Sequence, residues 1–209
     1  MKPLILASGS PRRAKILRDL GVDFKIVKTE APEVSIPHDP VRTVTENACA
    51  KLRAAVAKER DPPEVVGRAV LAADTIVWFN NRIYGKPRDL EEAKEFLREL
   101  SGQTHVVFTG IAFWDGKGGG APGTSCKGEG SLATACVRSE VTFRKLSEEM
   151  IDEYVARVHP TDRAGAYDID ESGDLIVASY TGSYENIMGL PVEPLRDFGL
   201  LESDPSTTH

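Results

Sequence analysis

Several short clusters in this chain combine residue types suited to handling phosphate. The first is Ser8-Gly9-Ser10-Pro11-Arg12-Arg13, between the apolar run Leu4–Ala7 and the amphipathic stretch Ala14–Leu20. It reads as strand, tight turn and helix start. Pro11 suits a first helical position, where its missing N–H needs no partner. Ser10 is placed to cap the helix, and Gly9 lets a ligand approach the backbone. N–H groups at such a turn, with two guanidiniums beside them, suit phosphate oxygens. An arginine pair also suits a solvated surface, so the turn alone leaves both readings open.

Four further clusters extend the pattern. Glu30-Ala31-Pro32-Glu33 places acids on a loop, either solvated or at a cation. Lys51 ends Glu46-Asn47-Ala48-Cys49-Ala50-Lys51 in a helical stretch, where a lysine is ordinarily surface charge. Asp74 lies in the apolar run Ala72-Ala73-Asp74-Thr75-Ile76-Val77. A lone buried carboxylate is costly, so Asp74 must sit at a strand end, meet a cation or meet a partner side chain. Tyr84-Gly85-Lys86-Pro87-Arg88 is a turn that holds a lysine. Together these residues point to phosphoanhydride chemistry. Cations neutralise a polyphosphate, and carboxylates hold a divalent ion or orient and deprotonate a water. The histidines His38, His105, His159 and His209 are scattered and form no nucleophile–base arrangement.

The elements that must position these residues follow from apolar periodicity. Strands are expected at Leu4–Ala7, Phe24–Val27, Ala69–Phe79, Thr104–Phe113, Leu132–Phe143 and Leu175–Tyr180. Helices are expected at Pro11–Leu20, Pro40–Lys58, Asp89–Leu100, Glu148–Arg157 and Pro191–Phe198, with Ser147 capping the fourth. The alternation predicts an α/β domain with a mixed sheet, in which Thr104–Phe113 and Leu132–Phe143 are hairpin partners. Between those two strands, Asp115–Gly130 contains seven glycines. It lacks the Gly-Lys-Ser/Thr ending of a P-loop and no helical pattern follows it, so a flexible hairpin insert is expected there. One domain over residues 1–201 and a frayed tail over 202–209 complete the expected organisation.

Composition narrows the partners. At 209 residues the chain can bury a sizeable core, and its net charge of −6 argues against nucleic-acid polymers and anionic membranes. A local basic cluster for a small phosphorylated ligand remains compatible with that balance. Cys49, Cys126 and Cys136 show no metal-ligand spacing, and no signal peptide or long apolar span is visible. A soluble cytoplasmic protein is the expectation.

Six ordered motifs then carry a resemblance. They are Ser8-Gly9-Ser10-Pro11-Arg12-Arg13, Ala73-Asp74-Thr75, Gly85-Lys86-Pro87, Leu100-Ser101-Gly102-Gln103-Thr104-His105, Ala164-Gly165-Ala166-Tyr167 and Gly189-Leu190-Pro191. In this order the chain resembles the Maf family of nucleoside triphosphate pyrophosphatases, from about residue 3 to residue 200. The resemblance implies an elongated mixed α/β fold of the inosine-triphosphate-pyrophosphatase type, a homodimer, and cleavage of a nucleoside triphosphate to monophosphate and diphosphate. It also implies a divalent metal, magnesium or manganese. By matching position, Asp74 is the proton acceptor, Ser8, Arg13, Lys51 and Lys86 hold phosphate, and Glu33 joins Asp74 at the metal. Arg12 and Thr75 match the branch that acts on dTTP and UTP. The third base-reading position of that branch is glutamine, and this chain has Asp170 there. A carboxylate accepts but cannot donate, so a donor for the O4 of thymine or uracil must come from elsewhere. Asp170 also leaves open a modified purine triphosphate such as 7-methyl-GTP. A third reading is a nucleotide-binding regulator that acts as a brake on cell division.

Overall fold

The computed structural model describes residues 4–58, 68–116 and 132–201. The first half of the chain forms β1 (Leu4–Leu6), α1 (Pro11–Asp19), β2 (Phe24–Ile26), α2 (Pro40–Lys58), β3 (Val70–Phe79) and β4 (Arg82–Tyr84). Next come α3 (Leu90–Leu100), β5 (Thr104–Trp114), β6 (Leu132–Phe143) and α4 (Glu148–Arg157). The last part holds α5 (Gly173–Ile176), β7 (Val177–Thr181), α6 (Tyr184–Met188) and α7 (Glu193–Asp197). The strands form one seven-stranded sheet in the order β2-β1-β3-β5-β6-β7, with β4 added to β3. β1 runs parallel to β2 and β3, while β3, β5, β6 and β7 are antiparallel neighbours, so the sheet is mixed as expected.

Alternation along the strands builds layers on both faces. Val70 and Ala72 of β3 pack with Ala48, Leu52 and Ala55 of α2. Leu71 and Ala73 face the other way and join Ala14 and Leu17 of α1 with Leu190 and Leu195 near the C-terminus. Farther along the sheet, Val77, Val107 and Val141 join Leu97 and Leu100 of α3 and Ile151 and Tyr154 of α4. The expected cap at Ser147 is present, and the structure adds one at Asp89. Ser147 accepts from the N–H of Met150, and Asp89, at the cap position rather than inside α3, accepts from Glu92.

Four local expectations change. Ser10 occupies the cap position of α1 but its side chain makes no capping bond. Instead its own N–H donates to Ser8 Oγ at 3.2 Å. Leu175 and Ile176, expected in a strand, close α5 after Ser172 adopts a left-handed conformation, and β7 starts at Val177. The expected helix Pro191–Phe198 shortens to α7, while α6, too short to show periodicity, is bounded by the Ser183 cap and by Gly189 at a φ of 103°. β4 is an addition, formed where Asn80 and Asn81 both take positive φ and fold Arg82–Tyr84 back on β3. Such a pair of left-handed residues is the signature of a tight hairpin turn. β5 and β6 pair as expected, whereas most of the glycine-rich segment (117–131) and the tail (202–209) lie outside the described residues.

One consequence of this topology creates the site. β5 pairs with β3 from Val70 to Trp78 and so occupies one edge of that strand. β1 and β4 share the other edge from opposite ends, β1 beside Val70 and Leu71, β4 beside Val77 to Phe79. Their chain directions converge, and both stop short of each other. The middle of β3, with Asp74 and Thr75, therefore lies in a gap between the turn after β1 and the turn after β4. Those turns carry Ser8–Arg13 and Gly85–Lys86.

Gly110 completes the placement. It sits opposite Asp74 on β5, and a Cβ there would lie 2.5 Å from the carbonyl of Val44 in α2. The missing side chain lets the backbone of α2 close directly on the sheet. Gly110→Ala is expected to destabilise the fold by about 1–3 kcal/mol, because backbone rather than a flexible side chain must move. At this chain length that corresponds to a Tm fall of roughly 3–10 °C, read by thermal melting. An unchanged Tm would contradict the close approach.

Candidate active site

The gap opens into a cavity of about 830 Å³, large enough for a nucleotide-sized ligand. Ser8, Arg12, Arg13, Glu33, Lys51, Asp74, Thr75 and Lys86 all line it. The structure thus brings together every site residue read from the sequence except Asp170. Asp170 lies outside the lining, where it accepts from Tyr184 Oη at 3.2 Å and pairs with Lys15 at 3.4 Å.

Asp74 is buried in mid-strand, and its partners resolve the cost of burying it. Lys51 Nζ lies 2.5 Å from Oδ1, and Asn47 Nδ2 donates to Oδ2 at 3.0 Å. Asn47 and Lys51 are four residues apart on α2 and so share one face of the helix. Asn47 also accepts from the N–H of Val34 at 2.8 Å and donates to its carbonyl at 3.0 Å. That pair of bonds ties the loop after β2 to the site and brings Glu33 to within 2.8 Å of Lys51. Asn47 was legible only as part of the helix motif, since an asparagine side chain announces no partner in sequence.

Arg13 is anchored at three points. Its Nε donates to the Gly189 carbonyl at 2.8 Å, Nη1 to Ser8 Oγ at 3.0 Å and Nη2 to Thr75 Oγ1 at 3.0 Å. Burial lowers its pKa to about 10, which leaves the guanidinium charged at neutral pH. A side chain at Gly189 would be strained by its φ of 103°, and its Cβ would crowd Thr75 Oγ1 at 3.1 Å. Thr109 Oγ1 donates to the Asn186 carbonyl at 3.1 Å, so its single hydrogen is used and it accepts from Thr75. Thr75 is thereby committed to orienting Arg13, with its own hydrogen spent on Thr109. The N–H groups of Arg12 and Arg13 at the start of α1 have no backbone acceptor among the described residues.

Another part of the wall comes from Asp162, Ala164, Tyr167 and Asp168. Lys86 pairs with Asp162 at 2.7 Å on an exposed rim. Arg12 reaches Asp168 at 3.5 Å and the Asp162 carbonyl at 3.4 Å. Tyr167 lines the cavity, and its hydroxyl meets His105 Nε2 at 3.0 Å. Desolvation pushes the His105 pKa down to about 3, so it supports Tyr167 as a neutral ring. Lys28, Asp162 and Asp168 also line the cavity and were not singled out in the sequence. The lining therefore holds five cations and four carboxylates, an array suited to a polyanion that enters with its own charge. Among the described residues no group of three or more His, Cys, Asp or Glu is placed to hold a metal, and no helix is long and apolar enough to cross a membrane.

Relatives similar in sequence span nearly the whole chain. A dTTP/UTP pyrophosphatase of Bacillus mycoides (strain KBAB4) is 38% identical over 205 residues, covering 98% of this chain and 98% of its own. A protein of the same name from Bacillus cereus (strain ATCC 10987 / NRS 248) is 38% identical over 195 residues, covering 93% of this chain and 87% of its own. A solved Mycobacterium abscessus structure, described as a nucleoside-triphosphatase / dITP/XTP pyrophosphatase, aligns at 16% identity with a TM-score of 0.39. That alignment covers 69% of this chain and 75% of the other. The family profile for Maf-like protein matches residues 3–200, a span that includes every residue of the cavity wall, and the chain belongs to that family.

Proposed function

We propose that this protein hydrolyses a nucleoside triphosphate, with dTTP and UTP as substrates, to the monophosphate and diphosphate. The observation that carries the reading is the convergence of Arg12, Arg13, Lys51 and Lys86 around Asp74 in one cavity. The names of the Bacillus relatives support the substrate class. Asp74 is the group assigned to orient and deprotonate the attacking water, and Lys51 and Asn47 hold its carboxylate in place. Arg13, with three of its five N–H donors anchored, has two left for phosphate oxygens. Lys86 exchanges its carboxylate partner, Asp162, for phosphate as the substrate enters. The β- and γ-phosphates are then gripped as a leaving group while water attacks at the α-phosphorus.

A divalent ion fits the donor set. Glu33 and Asp74 both place an oxygen against the same cation, the Lys51 ammonium, at 2.8 and 2.5 Å. Two carboxylates with substrate phosphate and water are what magnesium accepts. Glu33 and Asp74 would hold the ion, which when bound supplies charge neutralisation at phosphate oxygen and lowers the pKa of water.

Chromatography of dTTP and UTP reactions with magnesium or manganese tests the reading. The expected products are the nucleoside monophosphate and diphosphate. Formation of dTDP with orthophosphate would place the attack at the wrong phosphorus. Triphosphate binding without turnover would favour the regulator. Asp170, the residue that kept a purine substrate in view, lies outside the cavity and gives that reading no support.

A further inference from the structure

We infer that Asp168, not Asp170, is the carboxylate that reads the base, and that with Arg12 it selects bases presenting a carbonyl oxygen beside a ring N–H. The inference rests on the nucleotide reading above and deepens it. Asp168 and Asp170 are two residues apart but differ in every respect that matters. The Asp168 side chain is 4% exposed and lines the cavity, whereas that of Asp170 is 38% exposed and outside it.

Asp168 is also anchored at both backbone and side chain. Its N–H donates to Tyr154 Oη at 2.8 Å, and the same hydroxyl donates back to its carbonyl at 3.3 Å. Tyr154 is wholly buried, so this anchor belongs to the core. On the side chain, Oδ1 accepts from the N–H of Asp170 at 2.9 Å and Oδ2 accepts from Arg163 Nε at 2.9 Å. The bond from the Asp170 N–H to Oδ1 curls the chain there, and the Asp170 side chain meets Tyr184 and Lys15 instead.

Arg12 is held far more loosely. Its contacts of 3.5 Å to Asp168 and 3.4 Å to the Asp162 carbonyl are at the outer limit of hydrogen bonding. A fixed acceptor thus stands beside a donor that can shift to meet a ligand. Uracil and thymine present O4 next to N3–H, and guanidinium and carboxylate match that pair in order. Cytosine presents an amino group next to a bare N3, which sets donor against donor and acceptor against acceptor. Arg12 thereby supplies the O4 donor that a carboxylate lacks.

The test is the ratio of kcat/KM for UTP over CTP, measured within one preparation so that the active fraction cancels. The wild type is expected to favour UTP by at least about tenfold, the size of one mispaired hydrogen bond in a closed pocket. Asp168→Asn, whose amide can turn to donate or accept, is expected to bring the ratio within about threefold of unity. Asp170→Asn is expected to leave it within twofold of wild type. Should Asp168→Asn not fold, Asp168→Glu keeps the charge toward Arg163 while displacing the acceptor, and the same fall in ratio is expected. Calorimetric binding of non-hydrolysable UTP and CTP analogues gives the ratio without catalysis. Turnover with a ratio unmoved by Asp168 substitution, or moved by Asp170→Asn instead, would overturn the inference and leave the proposed reaction standing. Selective binding without turnover would do the reverse.

Discussion

Asp74→Asn is expected to lower kcat for dTTP by at least about 10³-fold while the protein remains folded. General-base assistance alone contributes on the order of 10²–10⁴-fold. The substitution also removes a charge to which Lys51 is held at 2.5 Å. Stability should suffer less, because asparagine keeps the shape and Lys51 retains Glu33 at 2.8 Å. A buried cation left wholly unpaired would cost several kcal/mol, and Glu33 prevents that outcome. The measurement is steady-state kinetics beside a thermal melt. A variant that keeps more than about a tenth of wild-type kcat, a loss under ~1.4 kcal/mol of barrier, would remove Asp74 from the role of base.

Arg13→Ala is expected to reduce kcat/KM by roughly 10²-fold or more, about 2.7 kcal/mol of transition-state stabilisation. Among the described residues, Arg13 makes no ion pair, whereas Lys51, Lys86 and Arg12 each face a carboxylate. Its charge thus has no carboxylate in direct contact and is offset only by the more distant Asp74, Glu33 and Asp162. Lys86→Ala should cost less, because Lys86 is 65% exposed and screened by water. Arg13→Lys separates charge from geometry. It keeps the cation but cannot span Ser8, Thr75 and Gly189 together, so most of the loss should remain. Normal kinetics in both alanine variants would place phosphate binding elsewhere.

Much of the site was legible because its chemistry is local. Asp74 in an apolar strand required a partner, and Lys51 on α2 is that partner. The turn at Ser8–Arg13 and the lysine at Lys86 announced themselves by residue type, and the structure places Ser8, Arg12, Arg13 and Lys86 around one cavity. Strand spans were legible as long apolar runs, as in β3 and β5, and helix spans from period 3.6, as in α2 and α3. Elements of three to five residues carry no period. β4 and α6 could be found only from their boundaries, the left-handed Asn80-Asn81 pair and the Ser183–Gly189 frame.

The sequence by itself determined the inventory of charge, the mixed α/β class and the candidates Ser8, Arg12, Arg13, Glu33, Lys51, Asp74, Thr75 and Lys86 that line the cavity. Tertiary structure alone decided how that inventory divides. Whether Asp168 or Asp170 enters the cavity depends on Tyr154 and Arg163, and no periodicity in a loop encodes which of two acids they will hold. The direction of the Thr75 hydroxyl depends on Thr109 and Asn186, on other elements of the fold. The gap itself exists because β1 and β4 approach along one edge of β3 and stop short, which is a property of strand pairing between distant segments. Hydrogen-bond partners far apart in the chain choose the rotamers of short polar side chains, so their roles emerge only once the sheet is assembled.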